Sequence, residues 1–104
     1  MTYKSFEDLP VWQKAAELYE LTEALLANDA FKATRGFRDQ LDRAALSVSN
    51  NIAEGFERGT TNELLAFLYI ARGSAGEVRS LLTLKLRRAE KSRWPADLKS
   101  EIQI

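Results

Sequence analysis

The chain contains no cysteine and no histidine. The first absence excludes a disulfide framework and any thiolate metal site. The second removes the commonest general base, the usual triad base and the main imidazole ligand. Catalysis would have to run on carboxylates, lysine, tyrosine or serine alone. Only 2 prolines and 5 glycines occur in 104 residues, so long helical interiors are permitted. No run of about 18 apolar residues exists, and no membrane span is expected. The opening MTYKSFEDLP has no apolar h-region, so no secretory signal is read and the cytoplasm is the expected location.

An excess of one charge is also missing. Fifteen bases balance 15 acids, for a formal net charge of zero. The distribution is uneven, however. Residues 1–34 carry six acids and three bases, whereas residues 61–104 carry eight bases and five acids. The whole chain does not read as a nucleic-acid binder, but its C-terminal part can present a basic surface. Length and an ordinary apolar content fit a single domain over residues 1–104.

Apolar spacing predicts helices. The first is expected over about Pro10–Asn28, with Val11, Ala15, Leu18, Thr22 and Leu25 on one stripe. Asp8 is the expected N-cap, Pro10 falls in the first turn, and Phe6 is placed to staple Val11 or Trp12. Phe31 is expected under the connection that follows. The second helix is expected over about Gly36–Phe56, on Phe37, Leu41, Ala44, Ala45, Val48, Ile52 and Phe56. Gly59 fits the position after its end, where positive φ costs nothing. Thr60, three residues before Glu63, has capping-box spacing for a third helix over about Asn62–Glu90.

That third helix is apolar around much of its circumference, which predicts burial on more than one side, most simply by another subunit. Gly73, Ser74 and Gly76 in its middle predict close approach of another helix backbone. Trp94-Pro95 marks a break. Residues 95–104 begin a fourth, shortened helix on Leu98 and Ile102. The expected fold is all-α: an antiparallel up-down-up-down four-helix bundle.

A polar stripe follows the second helix at steps of three and four: Gln40, Arg43, Ser47, Asn51, Glu54 and Arg58. Glu77 on the third helix is grouped with it. One reading makes Glu54 and Glu77 a catalytic carboxylate pair, but no third partner is available. A di-metal bundle would need Glu-x-x-His pairs, and there is no histidine. The favoured reading is a structural network, with Arg43 forked onto a carboxylate and Asn51 and Ser47 satisfying neighbouring polar groups, inside the protomer or across an interface. No catalytic residue, cofactor, metal or small-molecule substrate is expected. The candidate nucleic-acid-binding residues lie downstream: Lys85, Arg87, Arg88, Lys91 and Arg93, with Trp94 beside them to stack on a base.

One combination of residues is long and specific. It comprises Gln40, Arg43, Ala44, Ser47, the run Asn51-Ile52-Ala53-Glu54-Gly55, Arg58, Glu63, Phe67-Leu68, Ala71, Gly73-Ser74 and Glu77. Upstream stand Phe6, Asp8-Leu9 and Val11-Trp12-Gln13. Over about residues 6–84 this resembles the bacterial four-helix-bundle family of 23S ribosomal RNA intervening-sequence proteins. The resemblance implies an antiparallel four-helix bundle assembling as a homopentameric ring. It also implies kinship with the accessory variability determinant of diversity-generating retroelements, a basic pentameric barrel that works with a reverse transcriptase and nucleic acid. The expected function is therefore a non-enzymatic oligomeric scaffold or adaptor that binds RNA through a repeated basic patch. The alternative is a protein-interaction accessory module without nucleic-acid contact.

Overall fold

Two short sequence signals set the main turn of the structure. Gly59 adopts φ +86°, which only glycine takes without strain. Thr60 then caps the next helix: its Oγ1 accepts from the Glu63 backbone N–H at 3.2 Å and donates to the Glu63 carboxylate at 2.9 Å. The chain reverses there, and two long helices run antiparallel.

The computed structural model describes residues 2–90. A single 3-10 turn at Phe6–Asp8 leads into α1 (Pro10–Ala27), α2 (Arg35–Glu57) and α3 (Thr61–Glu90). All regular structure among the described residues is helical, as the periodicity requires. The fourth helix expected over residues 95–104 lies outside the described residues. Pro10 sits in the first turn of α1, but Asp8 does not cap it. Leu9 takes the cap position and Asp8 stays in the preceding turn, accepting from the Ser5 hydroxyl at 3.3 Å. Leu9 is buried, which draws the chain inward one residue later than a side-chain cap would. The Phe6 staple closes on Trp12, ring to ring at 5.3 Å. Thr34 caps α2 by accepting from the Phe37 N–H at 3.1 Å.

Alternating directions follow from which residues meet. One core cluster joins Leu25 near the end of α1, Phe31, Leu41 near the start of α2, and Val78, Leu81 and Leu82 late in α3. The other joins Leu9 and Ala15 to Val48, Ile52 and Ala71 at the opposite end. Phe31 is fully buried, as its place in the connection predicts. α2 lies between the other two helices and supplies residues to both clusters. α1 and α3 do not close over it. They leave an open apolar groove of about 430 Å³ with Val11, Leu18, Leu68 and Ala75 on its walls, Ile52 in its floor and Arg72 at its lip.

The glycines correct one expectation. Gly73 and Gly76 are exposed, and nothing approaches a Cβ placed on either within 4 Å. The close helix approach expected there is not made inside the protomer. It is made at Gly55, where a Cβ would lie 2.5 Å from Phe67 Cβ. The α2–α3 crossing is tightest next to the turn, because the short connection allows no separation there.

Gly55→Ala is therefore expected to lower stability by about 1–3 kcal/mol through overpacking, whereas Gly73→Ala in open space gains up to about 1 kcal/mol of helix propensity. Urea denaturation of the two variants checks the contrast. A second test concerns Tyr19, whose hydroxyl donates to Asp42 at 2.8 Å and ties α1 to α2. That bond to Asp42, together with burial and the charges of Asp42 and Glu23, raises the phenol pKa above its ordinary 10.0. The stabilisation is complete below pH 10.0 and is lost as pH rises through the higher folded-state value. Tyr19→Phe is expected to cost about 1 kcal/mol at neutral pH and to flatten the alkaline fall in stability.

Candidate functional site

The polar residues of the sequence stripe form a seam along the α2–α3 contact, at the surface of the bundle. Ser47 and Ser74 share a hydrogen bond at 2.9 Å. The Asn51 amide donates to the Ser47 hydroxyl and to the Ser47 carbonyl, both at 2.8 Å. Gln40 Nε2 donates to the Glu77 carboxylate at 3.3 Å. Ser74, expected as a close-packing residue, thus serves as a polar rivet between helices. Glu54 and Arg58 pair with each other at 3.2 Å across one turn of α2, and both are about half exposed. Such a pair adds little stability. The Arg58 guanidinium also lies 5.1 Å over the Phe67 ring and shields the Gly55 crossing.

Arg43 does not fork onto a carboxylate. It is exposed, and no ion pair holds it among the described residues. It borders two shallow depressions, one polar and lined by Gln40, Ser47, Ser74 and Glu77, the other more apolar and lined by Leu46, Asn50, Asn51 and Glu54. Glu77 and Glu54 therefore line different depressions and do not converge as a carboxylate pair. No group of three or more acidic side chains capable of holding a metal occurs among the described residues.

The second candidate region is larger than its sequence run. Of the residues expected to contact nucleic acid, Lys91, Arg93 and Trp94 lie outside the described residues. Arg87 and Arg88 are exposed in the last turn of α3. Lys85 is half-buried, with its ammonium 4.5 Å from the centre of the Phe37 ring. Desolvation there, then the charges of Arg88 and Arg38, lowers its pKa below the ordinary 10.5.

The involvement of Arg38 shows what the chain order hides. Antiparallel packing brings the start of α2 and the 28–34 connection to the same end of the bundle as the end of α3. Arg38 lies 5.4 Å over the Phe31 ring and donates to the carbonyls of Leu26 and Phe31. These acceptors are neutral, so its charge is not cancelled. Lys32, Arg35, Arg38, Lys85, Arg87 and Arg88 thus gather at one pole, against Glu23, Asp29, Asp39, Asp42 and Glu90. The C-termini of α1 and α3 also point there, and their dipoles favour cations. The opposite pole has Glu7, Asp8, Glu54, Glu57 and Glu63 against Lys4, Lys14 and Arg58. Sequence reading missed Arg38, Arg35 and Lys32 because about 50 residues separate them from the C-terminal run. Placing the predicted helices up-down-up would have joined the two groups.

A family model described as 23S rRNA-intervening sequence protein matches residues 7–93. The chain belongs to that family. The match spans the polar seam and most of the basic pole, from the turn before α1 past the end of α3. No curated protein and no solved structure matches the chain. No helix among the described residues is long and apolar enough to cross a membrane.

The seam yields a paired test. Ser74→Ala removes the rivet to Ser47 and is expected to cost about 1 kcal/mol. Arg43→Ala, at an exposed position without an ion pair, is expected to stay within about 0.5 kcal/mol. Chemical denaturation measures both. A larger loss at Arg43 would place a partner on it.

Proposed function

We propose that this family member is a non-enzymatic, cytoplasmic bacterial scaffold or adaptor that assembles as a homo-oligomer, a pentameric ring, and binds RNA through a repeated basic patch. The observation that carries the reading is the basic pole. Cations from the 28–34 connection, the start of α2 and the end of α3 converge there, although the chain as a whole is neutral. Clustered cations attract phosphate backbones electrostatically, with little sequence readout. Repetition around a ring multiplies a weak single contact. The residues after Glu90 add Lys91, Arg93 and Trp94 to the same run and, on this reading, supply the element that completes a four-helix bundle.

Self-association draws support from α3. Leu65, Tyr69, Ile70 and Leu84 are all exposed, so the sides left uncovered by α2 remain apolar in part. Exposed apolar surface of this kind favours a partner. A second reading, an accessory module that contacts only proteins, draws on the same exposed side chains and on the open groove between α1 and α3.

Salt-sensitive binding to structured RNA separates the two. Measurable binding is expected at about 50 mM salt, falling steeply by about 200 mM. Reversing Arg87, Arg88 and Lys91 to glutamate should abolish it. Absence of binding at the lower salt, or full binding by the reversed variant, would overturn the RNA reading and leave the protein-interaction module.

A further inference from the structure

Two exposed helix faces have no partner among the described residues, and they carry opposite charge. On α3, Leu65, Tyr69, Arg72, Gly76 and Arg79 follow one another at steps of three and four, so they share one face, and all are exposed. Tyr69 is 71% exposed, far beyond what a large aromatic keeps without reason. Gly76 weakens the helix relative to alanine, and no contact among the described residues explains it. On α1, the outward ridge is acidic. Glu17 and Glu20 are exposed beside Leu21, which is 52% exposed, and Glu23, also exposed, lies about a third of a turn farther round the helix.

The spacings agree. Glu17 to Glu23 covers about 9 Å of helix, and Arg72 to Arg79 about 10.5 Å, at a rise of 1.5 Å per residue. Laid on one another, the two faces set carboxylates beside guanidinium groups, and Leu21 falls between the two arginines, toward Gly76. Gly76 lets the helix axes approach. The one existing tie on the acidic ridge, Lys14 to Glu17 at 3.3 Å, is highly exposed and readily exchanged. Pairing α3 with α3 of another copy is disfavoured, because it gathers Arg72 and Arg79 from both chains.

We infer that the acidic outer ridge of α1 on one copy docks on the Tyr69–Arg79 face of α3 on the next copy. The contact joins two different faces, so it is head-to-tail, and each copy both gives and receives one. Such a contact propagates until the rotation closes a ring. The inference rests on the self-association reading above and names its surfaces.

Charge swapping tests it on the full chain. The mass of the assembly is measured by light scattering for four proteins: the parent, Glu17→Arg with Glu20→Arg, Arg72→Glu with Arg79→Glu, and all four changes together. Each single-face variant is expected to weaken assembly at least about tenfold, and the fourfold variant to restore it. A mixture of the two single-face variants should assemble only by alternation, and hence in even-numbered complexes. Circular dichroism confirms that helix content is kept.

If the parent assembles and neither single-face variant changes its mass, the docking contact is wrong while self-association stands. The same holds if a fully helical fourfold variant fails to reassemble, or if α3 reversal disrupts assembly and α1 reversal does not. A parent that is monomeric at every concentration overturns both.

Discussion

The structure depends on one antiparallel register between α2 and α3. Gly55 against Phe67, Ser47 against Ser74, Gln40 against Glu77 and Phe37 against Lys85 all obey it. Each step toward the start of α2 is matched by a step toward the end of α3. The short turn at Gly59 and the missing side chain at Gly55 fix that register at one end, and everything farther along inherits it. A slip of one residue would rotate the serines away from each other and bring other side chains to the crossing. The polar seam adds direction to a contact whose energy comes mainly from the apolar side chains beneath it.

α1 is held differently. It packs on α2 through Ala15 and Leu25, and is pinned at its ends by Phe6 on Trp12 and by Arg38 on the carbonyl of Leu26. It shares little with α3, and the groove between them follows from that. Among the described residues, the apolar groove and the exposed face of α3 both lie on sides that α2 does not cover.

The architecture was largely legible in the residues. The 3.6-residue spacing located α1, α2 and α3 to within a residue or two, and Gly59, Thr60 and Pro10 marked turns by chemistry that acts locally. Errors arose where a residue's role depends on what lies across from it. Gly55, Gly73 and Gly76 are indistinguishable from composition, and only the crossing shows that the first is packed and the others open. Arg43 stands close to Asp39 and Asp42 in sequence, yet it forms no ion pair among the described residues. The C-terminal basic run was visible, but its union with Arg38 depended on three-dimensional pairing.

The segregation of charge to the two poles has an effect that no net-charge value reveals. In a rod 49 Å long, bases exceed acids at one end and acids exceed bases at the other, so a chain of zero total charge carries an electric dipole. A uniform field turns such a dipole without pulling it, and beside a polyanion, where the field falls off with distance, the turned molecule is also drawn in. The molecule turns its basic end forward before contact, and its acidic end trails. Orientation on approach would thus be set by the helix order itself, because up-down-up topology brings Arg35 and Arg38 to the same end as Arg87 and Arg88.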